Sequence, residues 1–179
     1  MKKNRMVMLA VFAFATVFLP RSLKAQEDKD QLIKDSKEVR TAFIKADESM
    51  KSRFNNAYGY VIFPDIGKGA VVVGGAGGRG AVFEKGKTTG TAKMVQVTVG
   101  AQAGGQAYRE VIFFENKAAL DRFKDNKFEF SGQVSAVAVK AGASATAKYR
   151  EGVAVFTQEK GGLMVEASVG GQKFTYKPL

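Results

Sequence analysis

Six residues between positions 75 and 80 match the G-x-G-x-x-G pattern with which dinucleotide-binding proteins hold a pyrophosphate. That chemistry also needs a helix that begins at the last glycine and an acidic residue about 20 positions further on. Here Ala81 to Phe83 predicts another strand, and the stretch from Gly100 to Gln106 contains no acid. The glycine run therefore does not predict a nucleotide site.

The residue types that carry most enzyme chemistry are absent from the chain. It contains no histidine and no cysteine, which excludes the usual zinc sites, the histidine-dependent nucleophile systems and the redox CxxC centres. Carboxylates remain as possible acids and bases, but nothing in their spacing selects the pair that a glycosidase needs. We predict a protein that is not an enzyme and holds no metal or cofactor. The acids considered are Glu110, Glu115, Asp121, Asp125, Glu129, Glu151 and Glu166.

Basic side chains near the glycine-rich turns suit a different kind of site. Bases grouped at turns and hairpin tips attract anionic lipid head groups, each contributing about 1 kcal/mol close to a charged surface. Aromatic residues do not interleave with them as stacking platforms would, so nucleic acid is not the predicted partner. Ordinary solubilising charge is the alternative interpretation. The predicted head-group residues are Lys68, Arg79, Lys85 and Lys87.

The first 25 residues have the pattern of a secretory signal peptide. A short basic start precedes an apolar run from Met6 to Leu19, and small residues follow Pro20. We predict cleavage after Ala25 and a periplasmic or extracellular location, peripheral to a membrane. Because the segment holds five bases and no acid, its removal would lower the net charge from +11 to +6.

Residues 26–57 predict one amphipathic helix, with apolar residues at spacings of three and four. Its acidic and basic residues balance, and this favours a helix that packs on its own domain over one that lies on a membrane. Phe43, Met50 and Phe54 on its apolar stripe are the predicted apolar lipid contacts should the helix swing out.

From residue 58 to 179 the apolar period changes to two and turn residues recur, which is typical of an antiparallel β domain. The pattern predicts strands that include Ala70–Gly75, Gly80–Glu84, Ala143–Lys148 and Leu163–Val169, with turns at Pro64–Gly67 and Glu84–Lys87. Gly, Ala and Ser replace bulky residues in several strand segments, as expected where a sheet bends or another backbone approaches closely. Asn116 predicts the N-cap of one short helix, Lys117 to Lys124. The predicted fold is α+β: a strongly curved, mainly antiparallel, Gly-rich sheet or barrel-like domain that forms one globular unit with the long N-terminal helix.

Five segments, in this order along the chain, resemble the SYLF domain, and most closely its bacterial, exported branch. The resemblance implies lipid binding without catalysis, because eukaryotic members related to a yeast actin regulator bind phosphoinositide-containing membranes. It covers about residues 55–179. The segments are Tyr58–Gly69, Val71–Gly80, Val99–Tyr108, Glu110–Asn116 and Gly161–Gly171.

Residues and resemblance together predict an exported lipid-binding protein of the periplasm or cell envelope. It would bind phospholipid at an anionic membrane surface or hold an acyl ligand. The alternative is a structural module of the envelope that docks a protein partner through its sheet.

Overall fold

The structure, a computed structural model, describes residues 19–67, 75–97, 107–126, 128–130, 135–160 and 171–179. These residues form three helices and one seven-stranded sheet, so the predicted α+β class is confirmed. In chain order they are α1 Leu19–Ala46, α2 Met50–Asn56, β1 Gly59–Gly67, β2 Gly75–Glu84, β3 Lys87–Val97, β4 Tyr108–Phe114, α3 Lys117–Lys124, β5 Ala136–Ala138, β6 Val153–Glu159 and β7 Gln172–Pro178.

The sheet is open and strongly curved. Its strand order is β5-β6-β4-β1-β2-β3-β7, and every neighbouring pair is antiparallel except β5 with β6. Gln172 on β7 donates a hydrogen bond of 3.0 Å to Glu110 on β4, although three strands lie between them. Within the described residues the edge strands β5 and β7 do not pair, so the predicted curved sheet is confirmed and a closed barrel is wrong.

The sheet buries side chains on both of its faces. On the concave face, α3 packs against residues such as Phe63, Phe114 and Phe174. On the opposite face, α1 and α2 cover a second cluster that includes Tyr60 and Phe113. Tyr60 to Phe63 alternate between the two clusters, since successive strand residues point to opposite faces. Strand β1 therefore contributes side chains to both hydrophobic clusters.

The helix predicted over residues 26–57 is interrupted. Asp47 to Ser49 separate α1 from α2, because the Asp47 carboxylate turns away from the helix and accepts hydrogen bonds from Ser49 and Ser144. Arg53 on α2 adds hydrogen bonds to the Ser144 and Ala147 carbonyl oxygens. These contacts, which we call the Asp47 latch, fasten the helices to the loop before β6.

The predicted short helix is confirmed: α3 spans Lys117–Lys124, and the Asn116 side chain accepts from the Ala119 amide at 3.0 Å.

Three further predictions for the β domain were wrong. The turn predicted at residues 64–67 lies inside β1 as a bulge, where the ladder tolerates Pro64 without its N–H. The glycine run at 75–80 is part of one continuous strand, β2. Residues 143–148 are not a strand, because their backbone joins the Asp47 latch instead. The strand predicted at 163–169 lies outside the described residues.

Gly80 shows why small residues occur in β2. A Cβ atom at this position would lie 2.6 Å from the Ile62 carbonyl oxygen and 2.8 Å from the Phe63 ring. We expect Gly80→Ala to lower the free energy of unfolding by about 1 to 3 kcal/mol, measured by urea denaturation. Gly67→Ala is the control, since a Cβ there would meet nothing within 4 Å. Equal stability of the two variants would contradict the close approach of Gly80 to strand β1.

Candidate functional site

Four cations share the outer face of three neighbouring strands, the face opposite the concave core. Arg79 on β2 lies directly opposite Lys93 on β3, and Lys173 and Lys177 lie on the same side of β7. All four side chains are exposed, and none forms an ion pair within the described part of the chain. The exposed acid Glu129 faces Lys173 across an isolated bridge. We call Arg79, Lys93, Lys173 and Lys177 the basic face.

A groove of about 650 Å³ runs along the edge of the basic face, between α1 and the bulged part of β1. Arg79 and Lys93 line one part of it, and Leu32 and Pro64 contribute apolar surface. Two acids also line the groove, but both have partners. Asp65 pairs with Lys160 at 3.0 Å, and Asp35 accepts a hydrogen bond from Gln31 at 2.7 Å. The groove thus offers two cations that form no ion pair within the described residues, beside an apolar strip and the Asp35 carboxylate.

The structure does not bring the predicted head-group residues together. Arg79 is part of the basic face, whereas Lys85 and Lys87 lie at the turn between β2 and β3. Lys85 Nζ is 5.2 Å from the centre of the Tyr58 ring. Arg79 and Lys85 are six positions apart, with five residues of β2 between them, a distance of about 20 Å. Lys68 lies outside the described residues.

The predicted apolar contacts face inward. Phe43 and Met50 are fully buried and Phe54 is 5% exposed, all against the outer face of the sheet. Phe54 makes an edge contact with Phe113 at 4.8 Å between ring centres. Contact of these side chains with lipid would require α1 and α2 to leave the sheet, and it stays a prediction.

A buried polar cluster lies on the concave face, near the opposite end of the sheet from the hairpin of β2 and β3. The Gln172 amide donates to Glu110 at 3.0 Å and to the Tyr108 hydroxyl at 3.4 Å, and Tyr108 contacts Gln96 at 3.4 Å. Burial raises the pKa of Glu110 to about 7, although the hydrogen bond from Gln172 acts in the opposite direction. Burial and the Glu110 charge also raise the pKa of Tyr108.

A family model described as "Ysc84: Las17-binding protein actin regulator", which corresponds to the SYLF domain, matches residues 95–177. Beta cell expansion factor A of Aeromonas veronii is 36% identical over 128 residues, which are 70% of this chain and 48% of that protein. Residues 95–177 belong to the SYLF family. The resemblance to the SYLF domain that the sequence indicated is therefore confirmed. The chain spans about half the length of this curated relative.

The part of the SYLF domain that the family model covers runs from the end of β3 to β7. It includes the buried polar cluster and two cations of the basic face, Lys173 and Lys177. In the described residues, no helix is both long enough and apolar enough to span a bilayer.

Sequence reasoning missed three of the four cations of the basic face. Lys173 and Lys177 were not among the predicted site residues, and neither was Lys93. The alternation Lys173, Thr175, Lys177 does indicate that these side chains share one strand face. What it could not supply is the register that places Thr175 opposite Lys93.

Proposed function

We propose that this SYLF protein is an exported, non-enzymatic protein that binds anionic phospholipid at a membrane surface. The observation that carries the proposal is the groove beside α1, where Arg79 and Lys93 adjoin apolar surface. Cations at the rim of a groove suit a phosphate head group, and the apolar strip suits the start of an acyl chain. Family membership supports the proposal, since the SYLF resemblance implies lipid binding.

Export is the other part of the proposal, and it is supported by the sequence of residues 1–25. Helix α1 begins at Leu19 and continues past Ala25, the predicted cleavage site. Amino-terminal sequencing of the protein recovered from a cell-envelope fraction would test this part. A protein that retains Met1 and stays with the cytosolic fraction would contradict it.

Flotation with vesicles tests the lipid part. We expect purified protein to float with vesicles that contain phosphatidylglycerol or a phosphoinositide, and not with phosphatidylcholine alone. Raising the salt concentration from about 0.1 M to about 1 M shortens the Debye length from ~10 Å to ~3 Å and should release the protein. Salt-resistant binding to neutral vesicles would contradict a head-group site.

The double variant Arg79→Gln/Lys93→Gln should bind anionic vesicles about 30-fold more weakly, since two cations contribute roughly 2 kcal/mol near such a surface. Lys34→Gln/Lys37→Gln is the matched control, because it removes the same charge from exposed positions on α1. An equal loss in both variants would mean that overall charge, and not the groove, determines binding. Vesicle co-sedimentation gives both affinities.

The alternative, a module that docks a protein strand, needs an open sheet edge. The outer edge of β7 is partly covered, because the Asn126 side chain accepts from the Tyr176 amide at 2.5 Å and Glu129 bridges to Lys173. The other edge strand, β5, has only three residues. These edges favour the lipid proposal over strand docking.

A further inference from the structure

Five buried oxygen atoms on the concave face have no hydrogen-bond partner among the residues that the structure describes. They belong to four side chains: Glu110 Oε1, Thr157 Oγ1, Gln172 Oε1 and both carboxylate oxygens of Glu159. Glu110, Thr157 and Gln172 are themselves completely buried. Because an unpaired buried polar atom costs about 1 to 3 kcal/mol, five of them in one region require a physical explanation.

The strand register places the side chains of Glu110, Thr157 and Glu159 on the same face of the sheet. Strands β4 and β6 pair without a bulge, with Glu110 opposite Thr157 and Tyr108 opposite Glu159. Residues that face each other across a ladder lie on the same side of the sheet, and diagonal neighbours are about 7 to 8 Å apart. Two glutamate side chains can meet over that distance. Gln172 reaches the same place from β7, where its amide nitrogen lies 3.0 Å from Glu110.

The orientation of the Gln172 amide follows from its partner. An ionised carboxylate only accepts hydrogen bonds, so the amide turns its nitrogen to Glu110 when Glu110 is deprotonated. Its own oxygen is thereby left facing the cluster without a donor. All five unpartnered atoms are oxygens, and each of them can donate an electron pair to a cation.

Basic side chains near the cluster are engaged on the opposite face of the sheet. Arg109 donates to Gln158 at 3.3 Å, and Lys160 pairs with Asp65. Two buried carboxylates without a cationic partner are strongly unfavourable, so either protons or a bound cation must neutralise them. Carboxylate, amide and hydroxyl oxygens are the ligands that hard divalent cations prefer, whereas soft metals need thiolate or imidazole.

We propose that Glu110, Thr157, Glu159 and Gln172 form a buried binding site for a divalent cation of the calcium type. Ca²⁺ accepts six to eight oxygen ligands in irregular geometry, which suits four side chains from three strands. The described residues contain no group of three or more acidic, histidine or cysteine side chains arranged for a metal. This site differs in combining two carboxylates with two neutral oxygens. It is independent of the proposed lipid groove on the other face.

Terbium luminescence provides a direct test, since Tb³⁺ replaces Ca²⁺ and is sensitised by a nearby tyrosine. The chain has no tryptophan, and the Tyr108 hydroxyl lies 3.4 Å from the Gln172 amide nitrogen. We expect saturable Tb³⁺ emission that added Ca²⁺ displaces, together with a rise in the melting temperature on adding Ca²⁺. Tyr108→Phe should abolish the sensitised emission but keep the Ca²⁺-dependent rise.

Glu110→Gln and Glu159→Gln should each weaken Tb³⁺ and Ca²⁺ binding by about tenfold or more, since loss of even a group that only orients a metal ligand typically costs about 10- to 100-fold in affinity. The substitutions preserve side-chain shape, and circular dichroism verifies the fold. The matched control is Glu48→Gln/Glu115→Gln, which removes exposed carboxylates and should leave binding unchanged.

Three results would overturn the proposal. Emission that is unaffected by Glu110→Gln would place the ion on surface carboxylates. A melting temperature that responds to neither Ca²⁺ nor a chelator would show that no cation binds. Higher stability of both glutamine variants without any metal effect would mean that protons neutralise the two carboxylates.

Discussion

Replacing Asp47 with alanine should lower the free energy of unfolding by about 3 kcal/mol, because it leaves several buried donors without an acceptor. The Asp47 carboxylate accepts from the Ser49 amide at 3.0 Å, the Ser49 hydroxyl at 2.7 Å and the Ser144 amide at 2.8 Å. Asp47 is 3% exposed and Ser144 is completely buried. Water therefore cannot replace the lost carboxylate at Ser144.

Urea denaturation followed by circular dichroism measures this loss. Glu48→Ala is the control, because Glu48 is the neighbouring acid and its side chain is exposed. We expect the control to change the free energy of unfolding by less than about 0.5 kcal/mol. If Asp47→Ala costs no more than Glu48→Ala, the latch does not hold the helices.

The latch also predicts how stability depends on pH. Burial acts to raise the pKa of Asp47, but the hydrogen bonds from Ser144 and Ser49 outweigh it and hold that pKa far below its usual range. A carboxyl with a lowered pKa stabilises the fold above its unfolded pKa, near 3.9, and loses that contribution as the pH falls. The stability difference between the native protein and Asp47→Asn should therefore be full at pH 7 and smaller near pH 3. A stability difference that does not change with pH would contradict the lowered pKa of Asp47.

Phe54→Ala should have the other large effect, a loss of about 4 kcal/mol. The Phe54 ring packs edge-on against Phe113 at 4.8 Å and Tyr60 at 5.1 Å, and the Arg40 guanidinium lies 5.1 Å from its centre. Alanine would leave a cavity between α2 and the sheet and would remove all three contacts.

The same denaturation experiment checks this loss, with Phe54→Leu as the conservative control. Leucine fills most of the volume and should cost clearly less than alanine. A cost below about 1 kcal/mol for Phe54→Ala would show that α2 is not firmly docked in solution. That result would support the prediction that Phe43, Met50 and Phe54 are available to lipid.

Local features of this fold were predictable, and long-range ones were not. The short helix α3 followed from Asn116 and the apolar residues after it, and the turn after Glu84 followed from Gly86. The interruption of the N-terminal helix was not predictable, because Asp47 resembles an ordinary exposed helix acid. Its partner Ser144 lies 97 positions away.

The candidate sites, too, could be predicted only where the signal is local in the sequence. Composition and glycine context identified Arg79, but the grouping of Lys93 with Lys173 and Lys177 depends on how β3 pairs with β7. Glu110 was one of seven scattered acids in the sequence. Only the register of β4 with β6, together with the curvature that brings in Gln172, distinguishes it.

The two cores on either side of β1 have a consequence for cooperativity. Tyr60 and Ile62 belong to the cluster under α1 and α2, whereas Val61 and Phe63 belong to the cluster on the concave face. Neither cluster can lose its packing without exposing the strand that the other needs. The helices, the basic face and the buried polar cluster should therefore unfold together in a single transition.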